Sequence, residues 1–197
     1  GRGKQAMVST FFDNGLANST CINCGQCLLV CPTGAIVEKD GIEDVWKAIA
    51  DQKKMVVVQT APAVRVALGE EFDMREGSLV TGKMVAALRK LGFSKVFDTQ
   101  FTADLTIIEE GNELLRRLKT KGRLPMVTSC SPGWIRFAEL FYPKALPYIS
   151  TCKSPQQMFG SVTKTYYARK MNIDPRDIAV VSIMPCTAKK YEAKRSE

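Results

Sequence analysis

Apolar positions recur along most of the chain in two alternating rhythms. From Glu43 onward, Val45, Trp46, Ala48 and Ile49 return at helical spacing. The run Met55-Val56-Val57-Val58, rich in β-branched residues, then reads as a buried strand that ends at Gln59-Thr60-Ala61-Pro62. A helical pattern over residues 80–91 stops at Gly92, a short strand covers Lys95-Val96-Phe97-Asp98, and a longer helix spans residues 103–118. The pattern next predicts a strand at Met126-Val127-Thr128, helices over 135–141 and 156–171, and a last strand over 178–183. Strands alternating with helices predict an α/β domain with a largely parallel sheet. Up to about Glu38 the texture differs: the segment is rich in Cys, Asn and Gly, has no long periodic run, and needs metal to organise it.

At 197 residues with 45% hydrophobic positions, the chain is long enough for one sizeable core and a small satellite domain. No apolar stretch approaches the ~20 residues of a membrane span, and Gly1-Arg2-Gly3-Lys4 lacks the apolar segment of a secretory signal. The chain starts without Met and stops just after a motif, so a piece of a longer protein is expected. Lys and Arg outnumber Asp and Glu 28 to 20. That balance suits a solvated surface with modest attraction for an acidic electron carrier. The basic residues are scattered and no platform of interleaved aromatics accompanies them, which argues against nucleic acid.

Cysteine usage restricts the chemistry most. There are seven cysteines and no histidine, so histidine triads and histidine metal sites are excluded. An odd count, with four cysteines inside eleven residues, points to thiolates holding metal in a reducing compartment such as the cytoplasm. Cys21, Cys24, Cys27 and Cys31-Pro32 have the spacing C-x2-C-x2-C-x3-C-P, the bacterial ferredoxin run. Two residues between thiolates let one tight loop wrap a corner of a 4Fe-4S cubane, and Gly25 lets the backbone turn close to it. Zinc more usually takes two paired hooks separated by a longer insert. If Cys31 serves a second cluster, as in two-cluster ferredoxins, the missing partners are expected upstream of Gly1; in a single-cluster module all four cysteines belong together. The expected layout is a ferredoxin-like module over residues 1–40 and a catalytic-domain half over 41–197.

The other cysteines fall at the ends of strands. Cys130 and Cys186 each follow a predicted strand, and Ala61-Pro62 holds the same kind of place, so all three are expected at one crevice at the carboxyl end of the sheet. The segments Phe101-Thr102-Ala103-Asp104-Leu105-Thr106 with Glu109-Glu110, Thr128-Ser129-Cys130-Ser131-Pro132-Gly133-Trp134 and Met184-Pro185-Cys186-Thr187-Ala188-Lys189-Lys190-Tyr191-Glu192 resemble FeFe-hydrogenases. So do Gln59-Thr60-Ala61-Pro62-Ala63 and Lys153-Ser154-Pro155-Gln156-Gln157, so the likeness spans nearly the whole chain.

That resemblance implies an H-cluster, a 4Fe-4S cubane bridged to a two-iron subsite, in the complete protein. By position Cys186 matches a cubane ligand, Lys189 the lysine facing the cyanides of the subsite, and Ala61, Pro62, Gln156 and Met184 the residues walling it. Glu110, Glu113 and Ser150, with Arg117 near the mouth, match the family's proton path, which ends at a cysteine matching Cys130. Glu110 and Glu113 stand three apart on one helix face, and carboxylates and a hydroxyl can give and take protons; without the resemblance, two solvated glutamates are the plainer reading. Where the family usually has two adjacent cysteines, this chain has Cys130-Ser131, and a hydroxyl is a far poorer ligand than a thiolate. Three accounts stay open: Ser131 ligates weakly, Cys130 ligates instead, or Cys152 substitutes. The family's later C-P-G-G-C motif is absent, so this piece alone is expected to be inactive.

The implied function is reversible dihydrogen oxidation and proton reduction, with electrons relayed through ferredoxin-type clusters. Dihydrogen and protons are then the substrates, and ferredoxin or iron-sulfur or flavin subunits of a hetero-oligomer the partners. The alternative is a non-catalytic, hydrogenase-like protein of iron-sulfur assembly or dihydrogen sensing, which Ser131 favours slightly.

Overall fold

The computed structural model describes residues 3–6 and 9–195; positions 1, 2, 7, 8, 196 and 197, which include both chain ends, lie outside the described residues. The elements that build the site are α1 (Gln26–Val30), α2 (Ile42–Ala50), β1 (Met55–Thr60), α3 (Val64–Ala67), α4 (Thr81–Leu91), β2 (Lys95–Asp98), α5 (Gln100–Lys119), α6 (Pro132–Phe141), α7 (Pro155–Val162), α8 (Ala168–Met171), β3 (Ile178–Ile183) and α9 (Ala188–Glu192). Among the described residues no helix is long and apolar enough to cross a membrane.

The sheet is parallel with strand order β2-β1-β3, so β1 is central and paired on both edges. Successive side chains of a strand point to opposite faces, and β1 is apolar on both. Val56 and Val58 pack with Met84, Leu88 and Phe93 and with Val45, Ala48 and Ile49 of α2, whereas Val57 packs with Phe159, Ala168 and Ile178. Helices therefore cover both faces, as a parallel sheet with crossover connections requires. The α/β expectation holds, and all three strands of the sheet fall where the pattern predicts them.

The strand expected at Met126-Val127-Thr128 does not join this sheet. Val127 makes only an isolated parallel bridge to Ile149, through Val127 N–H to Tyr148 O at 2.9 Å and Ser150 N–H to Val127 O at 2.7 Å. Pro125 and Pro147 stand two residues before the bridged pair, and neither has an N–H with which to lengthen a ladder. The helix expected over 156–171 is continuous in path, but a π turn at Thr163–Tyr167 separates α7 from α8.

Candidate metal centre and proton path

In a parallel sheet ordered 2-1-3, the chain reverses its direction of travel across the sheet between β1 and β3, and the crevice beyond their carboxyl ends is where such sheets take ligands. The Ala61 N–H, just past β1, donates to Ile183 O at 3.0 Å, which closes the floor of that crevice. Pro62 is exposed beside it, and Met184 is half-buried one residue after β3. Cys186 is exposed, and its carbonyl accepts the Lys189 N–H at 3.1 Å as the chain enters α9.

Lys189 ties this corner together. Its ammonium donates to Cys130 O at 2.8 Å and to both Glu192 oxygens at 3.1 and 3.0 Å. The two side chains are only 14% and 9% exposed, so the pair depends on further hydrogen bonds to offset its lost hydration. Gln156, buried on α7, supplies them: its Nε2 reaches Glu192 Oε2 at 3.0 Å and Lys189 O at 3.2 Å. Gln157 Nε2 donates to Glu192 O at 2.7 Å. Below them Gln59 is fully buried, with its amide spent on Gln156 O and Ser182 Oγ and its carbonyl accepting from Thr99 Oγ1. Ala61, Gln156, Met184, Cys186, Lys189 and the Cys130 backbone thus share one corner of the molecule.

A second cluster lies where α5 meets the segment 148–152. Glu113 is 5% exposed. Its Oε1 accepts from Arg117 at 2.9 and 2.5 Å; its Oε2 accepts from Ser150 Oγ at 3.0 Å, Thr151 N–H at 2.9 Å and Thr151 Oγ1 at 3.0 Å. Burial alone would raise this acid, but the Thr151 N–H, the Arg117 guanidinium and the two hydroxyls outweigh it and hold the carboxyl down at about 2. Arg117 also donates to Tyr148 O and Ile149 O, which pins it against the bridge segment. The Cys152 thiol lies 3.8 Å from Glu113 Oε2; burial, then the negative charges of Glu113, Glu110 and Glu109, raise its pKa and keep it protonated. The structure therefore brings Glu113, Ser150 and Arg117 together. Glu110 stands one turn earlier with its Oε1 buried and unpartnered, and the Cys130 thiol is exposed near Thr128 Oγ1 at 4.0 Å.

The cysteine loop is shaped by backbone rather than by packing. Asn23 (φ 58°) and Gly25 (φ 77°) both adopt the left-handed region on either side of Cys24, and α1 starts directly after Gly25. The Asn23 N–H points at Cys21 Sγ at 3.4 Å. The Thr33 hydroxyl, with the N–H groups of Ile36 and Thr33, lowers the Cys31 thiol to about 7. Cys24 and Cys27 are exposed. Among the described residues no group of three or more Cys, Asp or Glu is placed closely enough to hold a single metal ion. The donor set still fits an iron-sulfur cube: four thiols on one tight loop, with backbone N–H groups turned toward sulfur.

Sequence reasoning passed over Thr151, Glu192 and Thr187. Thr151 gives Glu113 two hydrogen bonds, and its only signal was adjacency to Ser150. Glu192 closes the motif that contains Cys186 and Lys189, at the spacing of one helical turn from Lys189. Between these two clusters opens a cavity of about 520 Å³ whose lining includes Ser129, Ile149, Cys152, Gln157, Glu192 and Arg195.

Comparison with known proteins follows the same outline. The family described as iron only hydrogenase large subunit, C-terminal domain, matches residues 54–197, and the 4Fe-4S binding domain matches residues 18–37. An NADP-reducing hydrogenase subunit of Solidesulfovibrio fructosivorans is 55% identical over all of this chain and 34% of its own length. The periplasmic Fe hydrogenase large subunit of Nitratidesulfovibrio vulgaris is 53% identical over 90% of this chain and 50% of its own. Cytosolic iron-sulfur assembly component 3 of Bos taurus is 32% identical over 90% of this chain and 39% of its own. Among solved structures, an FeFe-hydrogenase of Chlamydomonas reinhardtii superimposes with a TM-score of 0.75 at 48% identity, over 78% of this chain and 40% of that one. The chain thus spans about a third to a half of the relatives it matches.

Proposed function

The chain belongs to the iron-only hydrogenase large-subunit family, and from that premise we propose that the full-length protein interconverts dihydrogen with protons and electrons. Residues 1–40 form its cluster-bearing electron module, and residues 41–197 the first half of its catalytic domain. When bound, an H-cluster supplies the metal centre at which the hydrogen-hydrogen bond is made or broken. Cys186 and Cys130 are the thiols of this chain that would hold it, with Ala61, Pro62, Gln156 and Met184 as its walls. Cys21, Cys24, Cys27 and Cys31 would hold the N-terminal 4Fe-4S clusters.

The observation that carries the reading is Lys189. Its ammonium touches the Cys130 carbonyl, and its backbone N–H donates to the Cys186 carbonyl at 3.1 Å. A compact cation held this way, its geometry fixed by Glu192 and Gln156, suits an anionic metal group in the crevice. Cys130 is favoured over Cys152 as the thiol nearest that group, because the Cys152 thiol is turned to Glu113 and kept protonated. Protons would enter beside Arg117, pass the Glu113 and Ser150 oxygens 3.0 Å apart, and reach Glu110. A buried carboxyl oxygen that lacks a partner, as Glu110 Oε1 does, is what a proton station offers between transfers.

The relative named as an NADP-reducing subunit motivates a hetero-oligomer fed through ferredoxin or partner iron-sulfur or flavin subunits. The cytoplasm suits a chain of free thiols. The full-length protein, matured with its cofactor, is expected to reduce a viologen dye under dihydrogen, and Cys186→Ala to abolish this. An assembled cluster with undiminished turnover in that variant would defeat the assignment. The assembly-factor alternative, which Ser131 and the similarity to the Bos taurus protein favour, predicts no infrared bands from cyanide and carbonyl ligands in the purified protein.

A further inference from the structure

We propose that Thr187 is a positioning residue that fixes the N-terminal cysteine loop to the segment carrying Cys186, through one hydrogen bond between the two stretches of ligand-bearing backbone. The inference rests on the function proposed above. Thr187 Oγ1 donates to Asn23 O at 2.7 Å, across 164 positions of sequence. Asn23 lies between Cys21 and Cys24, and Thr187 directly follows Cys186. The left-handed turn at Asn23, a conformation that Asn tolerates better than most residues, accompanies this placement of its carbonyl.

Close packing supports the same point. A Cβ on Gly25 would lie 2.9 Å from Thr187 Oγ1 and 3.2 Å from its Cγ2, so the loop approaches Thr187 as nearly as a backbone can. On the other side, a Cβ on Gly133, three residues after Cys130, would lie 3.7 Å from Ile22 O. A further tie, from the Lys190 ammonium to Glu38 at 2.8 Å and to Lys39 O, is solvent-exposed and contributes little to holding the loop. The part-buried Thr187 hydroxyl is thus the specific link.

Electron tunnelling falls exponentially with separation, and it falls faster across an open gap than along covalent or hydrogen bonds. Cys186, Thr187, the hydroxyl on Asn23 O, and Cys24 form a bonded line interrupted by one hydrogen bond. Each dihydrogen oxidised releases two protons and two electrons, and each electron that crosses adds one unit of reduction to an N-terminal 4Fe-4S cluster.

The test uses the full-length protein with its clusters, as wild type, Thr187→Val and Thr187→Ser. Freeze-quench electron paramagnetic resonance follows the reduced N-terminal cluster signal after mixing with dihydrogen, scaled to hydrogen-deuterium isotope exchange of dihydrogen in the same sample. Amide exchange over residues 21–31 follows the loop itself. Thr187→Val is expected to slow the scaled reduction several-fold and to speed amide exchange, and Thr187→Ser to behave as wild type; Thr187→Ala is read as Val is, where Val does not load. An unchanged reduction rate in Thr187→Val overturns the proposal, as does a serine variant as slow as valine. If the wild type gives no dihydrogen-dependent signal, it is the hydrogenase reading that fails, and unchanged amide exchange in Thr187→Val then refutes the tie on its own.

Discussion

Glu113 carries a charge that its surroundings make hard to remove. Its donors are spread over Arg117, Ser150 and Thr151, and together they hold the carboxyl at about 2 against an ordinary 4.5. A folded-state value below the unfolded one adds stability above the unfolded value, and that stability is lost as pH falls through the folded one. Here the gap corresponds to about 3 kcal/mol, lost between pH 4.5 and about 2. Urea unfolding of the full-length apoprotein at stepped pH is therefore expected to show a declining midpoint across that window, and Glu113→Gln to remove this part of the decline. A parallel decline in the variant would mean that Glu113 is not its source. The same donors bear on the proposed proton path, since a carboxylate held this firmly would receive a proton only briefly and hand it on. Glu113 and Ser150 were legible in the sequence through the resemblance alone, whereas Thr151 was not. Nothing in a threonine's position shows that both its N–H and its hydroxyl will reach a carboxylate 38 residues earlier.

Helix α7 shows how an element aims side chains that lie far apart in sequence. Ser154 accepts the Gln157 N–H at 3.3 Å as N-cap, and Pro155 occupies the first turn, where its missing N–H costs nothing. This start presents Gln156 and Gln157 to Glu192, and Glu192 in turn holds Lys189. Ser154→Ala is expected to cost about 1 kcal/mol of stability in the full-length protein. It is also expected to speed amide exchange in α9 more than in β1; equal effects on both would show that the cap acts on the whole fold and not on this corner. The three sheet strands and the cysteine spacing were legible, because each is a local signal, whereas the cap went unread although Ser154-Pro155 carries a local signal for it. The strand expected at Met126-Val127-Thr128 was misread because it pairs with the Ile149 segment through a single bridge outside the sheet, and Pro125 and Pro147 bar its extension on the preceding side. The bond from Thr187 to Asn23 joins residues 164 positions apart, and no periodicity or motif carries that information.

Helix α5 reverses the usual arrangement of an amphipathic helix on a core. Its buried positions are Thr102, Thr106 and Glu113, whereas Ile107, Ile108, Leu114, Leu115 and Leu118 form an apolar stripe at helical spacing on the exposed side. Ile107 is 68% and Leu115 55% exposed. A contiguous stripe of this kind on a monomer marks an interface, and the polar buried face leaves α5 little hydrophobic anchorage of its own. The chain spans only about a third to a half of the relatives it matches, so further polypeptide of the same protein is the natural cover. The 197-residue chain by itself is accordingly expected to self-associate and to bind a hydrophobic dye. Ile108→Lys with Leu115→Lys should return it toward a monomer in sedimentation velocity. In the full-length protein the same pair of substitutions should destabilise, because there each buried lysine would lack a partner. A monodisperse, dye-free wild-type chain, or a full-length protein indifferent to both lysines, would show that water covers this stripe in the native protein.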